Sequence, residues 1–120
     1  MVKKSKITSN DNFLELMPVH NANIRWIVTE DEVVQIQIDR NSLLDKIIRP
    51  IFKTPSVMNI DLDKYGSYIW LAIDGQKDVE AIANGFQSTF GMEVEPLYER
   101  LGSYVNILRN NNFITLEKIE

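Results

Sequence analysis

Three helical periodicities follow one another in the C-terminal half of the chain, each with its own start and stop signals, and they restrict the fold more than any other feature. The first is predicted over 62–74, with Leu62, Tyr65, Gly66, Ile69, Trp70 and Ile73 on one face. Asp61 or Asp63 would cap it, and Gly75 would end it in the left-handed region. The second runs over 79–90, with Asp78 as N-cap, Val79, Ile82, Ala83, Phe86 and Phe90 on one stripe, and Gly91 at its end. The third opens at Glu95 with Pro96 as first helical residue, carries Leu97, Leu101, Tyr104, Val105 and Leu108, and is predicted to fray into Asn110-Asn111-Asn112. Each stripe must be covered by another element, so the helices have to pack on one another or on a sheet.

The sheet is predicted upstream. Ile24-Arg25-Trp26-Ile27-Val28 and Val33-Val34-Gln35-Ile36-Gln37-Ile38 flank Thr29-Glu30-Asp31-Glu32. Val34, Ile36 and Ile38 share one face, and Gln35 and Gln37 share the other, which is the period of a half-buried strand. Val57-Met58-Asn59-Ile60 is short and β-prone and supplies a third strand, and Phe113, Ile114 and Leu116 suggest a last short one. Over 42–55 the pairs Leu43/Leu44, Ile47/Ile48 and Ile51/Phe52 recur every four residues, predicting a helix that Pro50 kinks or ends. Its Lys46, Arg49 and Lys53 would suit a docking helix, although a core-covering insertion is the simpler reading. Near the N-terminus, Phe13-Leu14-Glu15-Leu16-Met17-Pro18 predicts one helical turn capped by Asn10 or Asp11 and stopped by Pro18. The expected fold class is α+β: a three-stranded antiparallel sheet, a bundle of three C-terminal helices and a short helical insertion, in winged helix-turn-helix outline. Residues 1–22 read as an N-terminal arm and 23–120 as the domain.

With 120 residues, one hydrophobic core is expected. The formal charge of −4 disfavours a nucleic-acid partner, which normally meets a clustered positive face. No cysteine is present, which excludes disulfides, thiolate metal sites and thiol nucleophiles and suits a reducing compartment. His20 is the only histidine, so neither a histidine metal cluster nor a supported Ser-His-Asp arrangement can be assembled. Asp61, Asp63, Asp74 and Asp78 sit at helix starts or turns, where capping explains them. Trp70 in an apolar helix reads as core, and Trp26 could pack there too. No catalytic residue, metal ligand or cofactor is expected. No signal-peptide run and no apolar stretch of about 20 residues occurs, so a cytoplasmic protein with no membrane partner is expected.

The run Ile60-Asp61-Leu62-Asp63-Lys64-Tyr65-Gly66-Ser67-Tyr68-Ile69-Trp70-Leu71-Ala72-Ile73-Asp74-Gly75 resembles the central motif of the PqqD family. That motif is a leucine, a polar residue, small residues, an aliphatic-tryptophan pair and an aspartate-glycine turn. Asp78-Val79-Glu80-Ala81-Ile82-Ala83 is similar to the family's second helix, and residues 95–113 to its third helix and hydrophobic end. The resemblance covers about residues 23–116. It implies a winged helix-turn-helix that recognises the leader peptide of a ribosomally made precursor, acting as a non-catalytic adaptor for a radical SAM or other peptide-modifying enzyme. It further implies that the peptide adds as a strand at Val57, Met58, Asn59 and Ile60, facing a gripping helix that offers Tyr98, Leu101, Gly102 and Val105. The arm of residues 1–22 and the insertion at 42–55 depart from the shortest members of the family.

Plainer readings stand beside these. Residues 57–60 also suit a short protected edge strand. Gly102, which costs about 1 kcal/mol inside a helix, suits either close approach of a peptide or tight packing within the protein. Two other functions stay open. A winged-helix DNA-binding regulator needs a basic recognition helix, yet the third helix sets Glu95 and Glu99 against Arg100 and Arg109. A protein-interaction module, including self-association as a homodimer, needs only an open sheet edge.

Overall fold

The structure is a computed structural model, and it describes residues 4–5, 12–39 and 57–119. The predicted helix over 42–55, residues 1–3 and 6–11 of the arm, and the caps Asn10 and Asp11 lie outside the described residues. The chain divides into two compact units, residues 22–67 and residues 1–21 with 68–120.

The unit of residues 22–67 holds an antiparallel sheet of β3 (Arg25–Val28), β4 (Val34–Asp39) and β5 (Val57–Asp61), in that spatial order. Val28 lies opposite Val34, Trp26 opposite Ile36, and Ile36 opposite Ile60, so the predicted hairpin and third strand form in continuous register. Val34 and Ile36 are fully buried, whereas Trp26, which the sequence allowed in the core, is 36% exposed. The β3–β4 turn closes with Glu32 donating its N–H to the Thr29 carbonyl and adopting φ +63°, and with the Val33 N–H reaching the Thr29 hydroxyl.

Helix α1 (Lys64–Ala72) begins in this unit, and the division falls within it, after Ser67. Asp63 is its cap, accepting the Gly66 N–H at 2.7 Å. The helix is shorter than predicted. It stops at Ala72 because Asp74 draws the chain into a turn, accepting the N–H groups of Gln76 and Lys77, and Gly75 at φ +78° belongs to that turn.

Where β4 and β5 part, Leu62 still donates to the Val34 carbonyl, but Ser67 takes over the return bond. The Val34 N–H donates to Ser67 Oγ at 2.9 Å, and the Ser67 hydroxyl donates to the Leu62 carbonyl at 3.2 Å. Ser67 is the one buried polar side chain among the described residues. Replacing it with alanine orphans a buried donor and an acceptor together, so Ser67→Ala is expected to cost about 2 kcal/mol in urea unfolding. A loss under about 0.5 kcal/mol would show that water replaces the hydroxyl freely.

The second unit contains α2 (Val79–Phe90), α3 (Leu97–Asn110) and a small sheet in which β6 (Ile114–Ile119) lies between β1 (Lys4–Ser5) and β2 (Met17–His20). Asp78 caps α2 by accepting the Ala81 N–H, and Gly91 ends it. Val79, Ile82, Ala83 and Phe86 are buried along it, as the periodicity predicts. A 3-10 turn over Gly91–Val94 leads to α3, where Pro96 is the N-cap and not the first helical residue; the Glu95 carboxylate serves the helix start by accepting the Leu97 N–H. The far end of α3 does not fray. Asn112 adopts φ +62°, its N–H donates to Arg109, and the Phe113 N–H donates to Leu108, a Schellman closure with buried Leu108 and Phe113 beneath it.

The arm differs most from expectation. One 3-10 turn over Phe13–Glu15 forms, capped by Asn12, but Met17–His20 then pairs with β6 instead of ending at Pro18. Asn21 donates to the Phe113 carbonyl, so by alternation Val19 and Met17 also bond toward β6, and Pro18 turns its missing N–H away from it. Edge strands tolerate proline in that position alone.

Candidate functional site

The first candidate surface is the outer edge of β5. Antiparallel partners alternate between residues that exchange backbone bonds and residues that point theirs away. Leu62 bonds to Val34, so Ile60 and Met58 bond to β4 as well, and Val57, Asn59 and Asp61 direct their N–H and C=O groups outward. Among the described residues β5 has β4 as its one strand neighbour. The four residues predicted at this edge, Val57, Met58, Asn59 and Ile60, therefore share one strand; Asn59 is exposed and Ile60 half-buried. Asp61 accepts a hydrogen bond from Gln35 across the ladder, which ties down the strand's end.

The second surface is on α3, within the other unit. The helix lines a groove of about 480 Å³ with Pro96, Glu99, Arg100, Ser103, Tyr104 and Ile107. A neighbouring hollow of about 360 Å³ at the helix start is lined by Gln87, Glu95, Pro96, Leu97, Tyr98 and Glu99, with Gln87 and Glu95 joined by a 2.7 Å hydrogen bond. Of the residues predicted on this helix, Tyr98 is exposed and borders the hollow. Leu101 and Val105 are fully buried and support the helix from beneath. Gly102 is half-buried, and a side chain added there would meet Phe13 Cε2 at 4.0 Å.

Arg100, Ser103, Tyr104 and Ile107 were not singled out as contacts from sequence. Their signal is an apolar residue off the core stripe: Ile107 is 58% exposed, yet follows Ser103 and Arg100 at helical spacing. At Gly102 tight packing does not account for the glycine, since Phe13, the nearest neighbour of an added side chain, stands at ordinary contact distance. Gly102→Ala is expected to raise stability by about 1 kcal/mol, because the helix gains alanine's propensity and nothing has to move. A fall in melting temperature would refute the open space beside Phe13.

The His20 ring stacks on Trp70 with centroids 3.9 Å apart and planes 12° from parallel, and its Nε2–H donates to the Trp70 carbonyl at 2.9 Å. Burial lowers its pKa from the ordinary 6.5, against the carbonyl bond, which raises it. The unfolded chain thus binds the proton more readily than the native one. Stability from this group is full above pH 6.5 and is lost as pH falls through the lower, native value. Urea unfolding at pH 7.5 and 5.5 is expected to show that loss, and a flatter dependence in His20→Gln checks its source. Asp74, held to about 2 by the Lys77 hydrogen bond and the Gln76 amide, stays ionised throughout that window. Among the described residues no three His, Asp or Glu side chains converge to hold a metal. No helix of the described residues is long and apolar enough to cross a membrane.

Residues 56–114 match the family described as Coenzyme PQQ synthesis protein D (PqqD). That segment, just under half of the chain, is similar to the PqqD family. The PqqD match runs from the start of β5 through α3 to the first residue of β6, so it contains both candidate surfaces, while β3 and β4 precede it. No curated protein and no solved structure matches the chain.

Proposed function

We propose that this protein is a non-catalytic cytoplasmic adaptor that recognises the leader segment of a ribosomally made precursor peptide and presents it to a modifying enzyme, such as a radical SAM protein. The observation that carries this reading is the outward backbone of Val57, Asn59 and Asp61 on β5, inside the PqqD-matched segment. An extended peptide that adds there gains backbone bonds whatever its sequence, and side-chain recesses then select among peptides. The α3 groove, with Tyr104 and Ile107 as its apolar lining and Arg100 and Ser103 as polar groups, is proposed as a selecting recess. Tyr98 and Gly102 are proposed as further contacts, with Leu101 and Val105 as their support. The proposed shape is a winged helix-turn-helix over residues 23–120, with β3 to β5 as wing. The adaptor does no bond chemistry: it raises the local concentration of the precursor beside the enzyme.

A titration of the ¹⁵N-labelled full chain with a candidate leader peptide tests this. Amide shifts at Val57, Asn59 and Asp61 and along Arg100 to Ile107 are the expected result. Shifts absent throughout, or confined to residues 1–22, overturn it for that peptide. A duplex-DNA gel shift that weakens with salt would favour the regulator reading instead.

A further inference from the structure

Among the described residues the sheet of residues 22–67 has a second edge, at β3. By the alternation that orients β5, Thr29 bonds to Val33, Ile27 and Arg25 bond to β4, and Val28 directs its backbone groups away from it. The strand is exposed along its whole length, with Ile27 at 46% and Val28 at 48%. Val28 lies opposite fully buried Val34, so the apolar face of the sheet continues past its cover at this edge. Proteins usually blunt such an edge with charged side chains, proline or a bulge; here the charge is confined to Arg25 at one end, and Trp26-Ile27-Val28 has no charge, proline or bulge.

We infer that the outer edge of β3 pairs with β3 of a second copy of this chain, antiparallel about a two-fold axis through Ile27. A second copy is favoured because the strand complements itself in that register. Ile27 meets Ile27 of the partner on the axis, and Val28 of each copy lies opposite Trp26 of the other. Arg25, at one end of the strand, comes beside the acidic turn Glu30-Asp31-Glu32 that follows the other end in the partner. Apolar residues thus face apolar ones and the cation faces carboxylates, an isologous contact that closes at two subunits. A four-residue edge buries less than the roughly 1,200 Å² of a standard interface, so the dimer is weak and depends on concentration.

The chain contains no cysteine, which gives a direct test. Ile27 pairs with its symmetry mate at a position without backbone bonds, where Cα atoms approach to about 4.5 Å, within disulfide reach. Ile27→Cys in the full chain is expected to form a disulfide-linked dimer under mild oxidation, while Gln35→Cys, opposite it on β4, stays monomeric. By sedimentation, wild-type mass should rise from monomer toward dimer between micromolar and millimolar concentration. Val28→Lys should abolish the rise and Asn59→Pro, on the β5 edge, should preserve it. A constant monomer mass, equal crosslinking of the two cysteine variants, or a dimer lost in Asn59→Pro and kept in Val28→Lys would each overturn the inference.

Discussion

Replacing Trp70 with alanine is expected to cost about 4 kcal/mol, leaving a protein close to its unfolding threshold at room temperature. Trp70 is fully buried and is the largest of the buried side chains. Its ring also carries the stacked His20, so truncation empties the space under β2 as well as the space within the helical unit. Large aromatic truncations in cores cost about 3–5 kcal/mol because the surroundings relax only partly, against a typical total of about 5–15 kcal/mol. Urea unfolding followed by circular dichroism measures the loss, and Trp70→Phe, which keeps a ring for His20, should recover much of it. Fluorescence offers a second reading: the remaining Trp26 is partly exposed, so Trp70→Phe should shift native emission to longer wavelength. A truncation costing under about 1 kcal/mol would mean that the core closes over the gap.

The second large effect is expected on binding. Asn59→Pro removes the N–H at the centre of the outward row on β5 and places a ring where an added strand would lie, while the bonds of Met58 and Ile60 to β4 persist. Proline also favours the extended conformation that Met58 already has. Affinity for a leader peptide should fall at least a hundredfold, about 2.7 kcal/mol, with the circular dichroism spectrum unchanged. Asn59→Ala keeps the N–H and should bind nearly as wild type, which separates backbone pairing from a side-chain role. A folded Asn59→Pro protein that binds normally would remove β5 from the recognition surface.

What could be read in advance follows from how local each signal is. The bounds of α2 were legible because Asp78 and Gly91 act within one turn of themselves, and the stripe of Val79, Ile82, Ala83 and Phe86 repeats at helical spacing. The third strand at residues 57–60 was legible from residue type alone. Strand β2 was not, because Pro18 is a stop signal to a local reading, and only its pairing with Leu116 shows that its missing N–H faces away. The ending of α3 misled for a related reason: Asn112 in the left-handed region does what glycine usually does, so a tight closure resembled fraying. At the candidate site the β5 edge followed from the resemblance to the PqqD family, but the lining of the α3 groove did not. Leu101 and Val105 satisfy the apolar period because they are core, and the groove is lined by the adjacent row of Arg100, Tyr104 and Ile107.

The pairing of Met17–His20 with Ile114–Glu117 has a consequence for how the chain is made. A ribosome releases the partners of β2 only after α1, α2 and α3, so the helical unit stays open along one side until they emerge. The hairpin of β3 and β4 needs only neighbours released moments apart, and short-range closures of this kind form fastest. Until Ile114 and its neighbours appear, Leu16, Met17 and Pro18 have no strand to settle on, and during that interval the nascent protein is most exposed to proteases and chaperones.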